Sequence, residues 1–234
     1  WPDVNVDSMM IMCSKIQKEI KALDRPVRGW DCYLGMMKEM ADMLIDLPLV
    51  QDLRDDAMRE RHWKKLMRIC GKTFVMDDKM SLGVLLSLEL HKFADPVGEV
   101  VEQARMEIKI DKALQRIETI WNALQFEYEP FKSSGVKVLK MPDTTIESLD
   151  DHEVQLQNMM GNRFKAFFEI QITTWKGKLS QCRAVLENWL EVQRQWCSLE
   201  AIFIGSEDIR EQLPEDAKRF DGIDSSFREQ MVDA

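Results

Sequence analysis

Paired cysteines, long apolar runs and sequence repeats are all missing from this chain of 234 residues. Its five cysteines (Cys13, Cys32, Cys70, Cys182, Cys197) are an odd number without a CxxC spacing. That pattern points to free thiols in a reducing compartment and away from a disulfide scaffold. No apolar run reaches the roughly 18 residues of a membrane span, and there is no signal-peptide pattern and no N-x-S/T acceptor. The 32 Lys and Arg residues are interleaved with 41 acids, for a net charge of −9 and a pI near 5.0. No basic stripe stands out, so neither nucleic acid nor an anionic membrane is an expected partner. Glycine (10) and proline (7) are sparse. The chain begins at Trp1 rather than Met and reads as an excised piece of something longer.

What is present is amphipathic helix. With 45% hydrophobic and 31% charged residues the composition is globular, and the length suits one large or two small domains. Asp7 and Ser8 are candidate caps of a first helix whose Met9, Met12, Ile16, Ile20 and Leu23 recur every three or four residues. Pro26 and Gly29 end it. A second helix runs through CYLGMMKEMADMLI. Pro48 is expected in the first turn of a third, LPLVQDLRDDAMRERHWKKLMRICG, which sends Leu49, Leu53, Met58, Trp63, Leu66 and Ile69 inward and stops at Gly71. Ser81 opens a short apolar helix. A long one follows, with Ile110, Ala113, Ile117, Ile120 and Leu124 on its inner face.

Between Phe126 and Leu149 the period changes. FEYEPF and VKVLKM alternate around the turn signal KSSG and predict a β-hairpin, with Pro130 at an edge or strand end. Helix then returns. Phe168, Ile172, Trp175, Leu179, Cys182, Leu186, Trp189 and Trp196 keep a 4-3-4-3 rhythm, with Gln193 as its one polar member. A helix from about Val154 to Phe203 would be roughly 75 Å long unless it bends near Gly161 or Gly177. The expected fold is mainly α: an elongated bundle of long helices with one small β-hairpin inserted. The expected divisions are 1–125, 126–149 and 150–234.

Catalytic signatures are hard to find. CGKT at Cys70–Thr73 resembles the end of a phosphate-binding loop, but Leu66 stands where the loop needs its first glycine. Gly71 reads better as a helix stop. His62, His91 and His152 share no helix face and have no metal-ligand spacing around them. The acidic stretches DLRDDAMRERHW and GSEDIREQLPEDAKRF lack the ligand alternation of a calcium loop. Charged helix faces, and a cap at Ser206 with Glu207 and Asp208, explain them. No catalytic, cofactor-binding or metal-ligating residue is assigned. Trp175, Trp189 and Trp196 read as helix-packing core rather than a ligand platform. The sixteen methionines read as filler in an irregular core.

The segment WLEVQRQWCSLEAIFIGSEDIREQLPEDAKRFDGIDSSF closely resembles the linker region of dynein heavy chains, which precedes the motor ring. LPLVQDL followed by MRERHWKKLM is similar to that family's leucine-proline entry and Arg-His-Trp helix, here Arg61, His62 and Trp63. ALQRIETIWNALQFEY and IESLDDHEVQLQNM are similar in order and spacing, so the likeness runs from about Trp30 to Met231. IFIGSEDIREQLPEDAKRFDGID looks most like the axonemal outer-arm chains of β type. The resemblance implies a helical lever over a ring of AAA modules in the same heavy chain. It would turn nucleotide-dependent changes of that ring into displacement along a microtubule, in the axoneme of a cilium or flagellum and with other dynein subunits. It also implies that this chain is not an enzyme by itself and needs no cofactor, the nucleotide sites lying elsewhere. The alternative is a passive helical scaffold or adaptor, similar to spectrin-type bundles. The absent repeat and the expected hairpin speak against it.

Overall fold

The computed structural model describes residues 4–76, 80–132 and 134–233. Among them are nine α-helices and a single two-stranded antiparallel hairpin, so the fold is mainly α as expected. The chain divides into two compact units, one ending at Lys112 and the other beginning at Ala113.

In the first unit, helix α1 (Val6–Lys21) packs on α2 (Asp31–Asp52). Val6, Cys13 and Leu47 form the buried seam, with Met9, Met10, Met40 and Met43 filling around it. The methionines here do act as filler between helices. The inward face of α1 is rotated from the expected one. Met12 and Leu23 are exposed, and Val6 and Cys13 take their places. The cap also moves: Asn5 Oδ1 accepts the Ser8 N–H at 2.8 Å, and neither Asp7 nor Ser8 is the cap.

Pro48 corrects a second expectation, because it lies inside α2 and not at the start of a third helix. Proline removes one backbone hydrogen bond and normally breaks a helix. Here the burial of Leu47, Val50 and Leu53 around it carries the helix on to Asp52. The break comes later, where Asp55 Oδ1 accepts the Ala57 N–H at 2.9 Å in a side-chain turn. The stretch expected as one helix is therefore the end of α2, a loop and α3 (Glu60–Cys70). Gly71 stops α3 in the left-handed conformation at φ 65°, as read from the sequence.

Helix α4 (Leu82–Leu86) follows Ser81. A 3-10 turn (Leu90–Phe93) then leads into α5 (Ala94–Ala123). Leu53, Trp63, Leu66, Leu85, Leu90 and Val97 belong to one buried core. On α5 the inward residue is Leu114 rather than Ala113, and Ile120 is exposed.

In the second unit, strands β1 (Tyr128–Pro130) and β2 (Lys137–Leu139) pair antiparallel, with Glu129 opposite Val138. The strands are shorter than the six-residue runs expected. Two flanking bonds, Phe131 N–H to Val136 O (2.8 Å) and Lys140 N–H to Glu127 O (2.9 Å), extend the ladder. Pro130 closes β1, where its missing N–H does no harm. Gly135 turns the chain at φ 71°, which glycine adopts without strain; Ser133 of the KSSG signal lies outside the described residues.

Helix α6 (Asp143–Gly161) and helix α7 (Glu169–Phe203) replace the single helix of roughly 75 Å. Gly161 ends α6, and Asn162 Oδ1 then takes the Phe164 N–H at 2.8 Å, starting a turn that competes with further helix. The two helices run antiparallel, since Gln157 meets Lys176 while Glu153 meets Arg183. Helix α7 continues through Gly177 for 35 residues, about 52 Å at 1.5 Å per residue. Gly205 follows the end of this run at a point where a Cβ would stand 2.5 Å from the Ala201 carbonyl oxygen, so the position takes glycine. Helices α8 (Glu207–Gln212) and α9 (Pro214–Asp233) follow.

Candidate functional site

The groups that join the helices of this fold are polar and aromatic ties. In the first unit α3 places His62 at its third position, where His62 Nδ1 accepts the Arg59 N–H at 3.0 Å. The other ring nitrogen, Nε2, lies 3.0 Å from Glu107 Oε2 on α5. Both bonds are satisfied only by the neutral imidazole with its proton on Nε2. Arg61 Nε donates to the same carboxylate oxygen at 2.6 Å, and Gln103 Nε2 donates to Oε1 at 2.6 Å. Lys65 Nζ completes the chain on Gln103 Oε1 at 2.7 Å.

Glu107 and His62 are both buried. Burial pushes the His62 pKa down, and the pull of Glu107 only partly offsets it. Burial pushes the Glu107 carboxyl up, but the Gln103 and Arg61 hydrogen bonds, the Arg61 charge and the His62 bond outweigh that and hold it below its ordinary value. A buried carboxylate with this many donors is a tie that costs several kcal/mol to break from one side. In the same unit His91 donates from its backbone N–H and from Nδ1 (3.0 Å) to buried Asp46.

In the second unit Trp121 Nε1–H donates to His152 Nδ1 at 3.0 Å, so that imidazole also needs a free lone pair. Burial lowers the His152 pKa, with Asp151 pulling weakly the other way. The three histidines thus sit in three separate packing ties. Among the described residues no group of three or more His, Cys, Asp and Glu is arranged to hold a metal.

Helix α7 carries the aromatic ties. Trp196 is 1% exposed, stacks on Phe227 and meets Phe131 edge-on at 5.4 Å. Its Nε1–H donates to Asp224 Oδ1 at 3.1 Å. Phe203 stacks on Phe220 at 5.5 Å, so two aromatic pairs fix α7 against α9. Trp175 is buried as expected. Trp189 is a correction, because it is only partly buried. It sits between two apolar clusters, touching Trp196's cluster on one side and Leu149 and Leu186 on the other. Its Nε1 is buried without a hydrogen-bond partner among the described residues.

Gln193, the polar member of the α7 stripe, has a clear task. Its amide accepts the Leu139 N–H and donates to the Leu139 carbonyl, both at 2.8 Å. It thereby mimics a neighbouring strand and fastens β2 to α7. Glu107 was not singled out from the sequence, though the same signal would have found it. It falls on the inward stripe of α5 with Val97, Val100, Ala104 and Leu114, where a carboxylate calls for a partner. The partner groups Asp46, Asp224 and Gln103 carry no such local signal.

A model of the family described as "Dynein heavy chain, N-terminal region 2" matches residues 1–234. The chain belongs to this dynein heavy-chain family. It is 45% identical over 229 residues to the protein "Dynein beta chain, ciliary" of Tripneustes gratilla, covering 98% of this chain and 5% of that one. It is 43% identical over 234 residues to "Dynein beta chain, flagellar outer arm" of Chlamydomonas reinhardtii, covering 99% of this chain and 5% of that one. It is 42% identical over 234 residues to "Dynein axonemal heavy chain 9" of Homo sapiens, covering 100% and 5%. The chain thus spans about a twentieth of the length of the curated relatives it matches. The Arg61–His62–Trp63 helix and the tryptophan-bearing α7 both lie within this dynein heavy-chain match.

Proposed function

We propose that this chain is a mechanical linker segment of an ATP-driven microtubule motor. In this reading it carries nucleotide-dependent changes of the ring of AAA modules in the same heavy chain into displacement. The motor works with other dynein subunits in the axoneme of a cilium or flagellum and drives its beating. Nucleotide is bound and hydrolysed in other parts of the heavy chain, and this segment supplies no catalytic group.

The observation that carries the proposal is the family match along the whole chain, with ciliary and flagellar β chains among the relatives. The construction of the second unit supports it. A lever must resist bending, and the 35-residue α7 is braced by α6, by the hairpin and by α9 through named bonds and stacked rings.

The test is energy transfer in the complete heavy chain, with a donor dye on this segment and an acceptor on the ring. A change of transfer efficiency between the nucleotide-free and ATP-bound states supports the lever. Constant efficiency while the ring turns over ATP would instead support a passive scaffold.

A further inference from the structure

The outer face of α3 departs from the charge mixing of the rest of the chain. Residues 59–72 hold six cations (Arg59, Arg61, Lys64, Lys65, Arg68, Lys72) and one acid, Glu60, a local net charge of +5 in a chain of −9. Trp63, Leu66 and Cys70 face inward, which leaves Lys64, Lys65 and Arg68 exposed on the opposite side. Elsewhere several arginines are neutralised within the fold. Arg105 lies between Asp52 and Asp55, Arg183 reaches Glu153, and Arg210 grips Asp221. Here Glu60 answers Lys64, Glu107 takes Arg61 and Glu89 answers Lys72, while the exposed Lys65 and Arg68 add to the surplus. Lys65 is held upright by the neutral amide of Gln103, which orients its charge without cancelling it.

We propose that this face is a docking surface for an acidic, extended segment of a partner protein. Lys64 and Arg68 are one helical turn apart, about 6 Å along the axis. Alternate side chains of an extended strand repeat at about 6.6 Å, so carboxylates at every second residue of such a segment match the spacing. Arginine at position 68 adds a fork for bidentate carboxylate binding. Nucleic acid fits less well. A polyanion of high charge density would be repelled by the acidic remainder of the chain, whereas a short acidic peptide meets only the local field.

The experiment is a titration of the 234-residue chain into a fluorescent oligoglutamate peptide, followed by anisotropy. Binding is expected at low salt and should weaken steeply towards about 0.3 M, where the screening length is only several ångströms. The Lys64→Glu/Arg68→Glu variant should bind about tenfold or more weakly, with a melting profile shifted only slightly because the one ion pair it breaks, Lys64–Glu60, is exposed. The control variant Arg194→Glu/Arg219→Glu makes the same charge change on α7 and α9, at side chains 73% and 76% exposed, and should bind like the parent. Absence of binding at low salt overturns the proposal, and so does an equal loss in the control. Tighter binding of a single-stranded oligonucleotide than of the peptide would also overturn it, in favour of a nucleic-acid surface.

Discussion

Trp196 and Phe227 stack with their ring centroids 4.4 Å apart and their planes 18° from parallel, joining α7 to α9. Stacking of this kind adds to the burial of both rings, and the Asp224 carboxylate fixes the indole from its polar end. Trp196→Ala should therefore destabilise the chain by about 3–5 kcal/mol, and Trp196→Phe, which keeps most of the burial, by much less. Trp189→Ala should cost less than Trp196→Ala, because Trp189 is only partly buried. Urea unfolding of the three variants gives the order directly. Equal losses at positions 189 and 196 would contradict it.

Gln193 should matter to the hairpin rather than to α7 itself. Gln193→Ala leaves the Leu139 N–H and carbonyl without their partners, a loss of about 1–3 kcal/mol where such groups stay buried. Hydrogen exchange at the Leu139 amide should accelerate while the amides of mid-α7 keep their protection. Unchanged exchange at Leu139 would show that the strand is held by its apolar contacts alone.

The pH dependence follows from two imidazoles. His62 and His152 both titrate below the ordinary value of 6.5 in the folded chain, chiefly because they are buried. Well above pH 6.5 both are neutral, folded or unfolded, and the packing they serve is intact. As the pH falls below 6.5 the unfolded chain takes up protons first, so stability declines until the folded-state values are passed. Each histidine can contribute at most about 1.4 kcal/mol per pH unit in that window. The carboxylate of Glu107 acts separately and lower, since its stabilisation is present above 4.5 and is lost as the pH falls through its depressed value. Unfolding free energies measured between about pH 7 and pH 5 should fall with acid, and His62→Gln should flatten the slope. An unchanged slope would mean that His62 is charged in the folded state.

Local pattern made much of this legible. The period of two around KSSG gave the hairpin, and Gly71 gave the end of α3, because both depend on residues adjacent in sequence. The 4-3 rhythm placed Trp175, Leu179, Leu186 and Trp196 correctly. It failed at Trp189, since α7 meets different neighbours along its length and Trp189 lies against two separate clusters. Pro48 misled because its local preference was overruled by tertiary burial around it. Gly161 and Gly177 looked alike in sequence, yet only the first is followed by an asparagine that captures the next turn. The ties of Asp46 to His91 and of Glu107 to His62 join residues about 45 apart, and no local periodicity encodes such a pairing.

The most direct test of the lever concerns the backbone of α7. Val185 lies in the middle of that helix with its side chain 55% exposed, so replacing it removes little packing. Proline there deletes a backbone hydrogen bond and collides with the preceding turn, at about 3 kcal/mol or more, and kinks the helix. In the complete heavy chain, with the melting profile of the motor ring unchanged as a folding control, Val185→Pro should leave basal ATP turnover largely intact while microtubule gliding slows severely. Normal gliding with a demonstrably kinked α7 would contradict the lever, and a parallel loss of ATP turnover and gliding would mark the segment as a structural support of the ring instead.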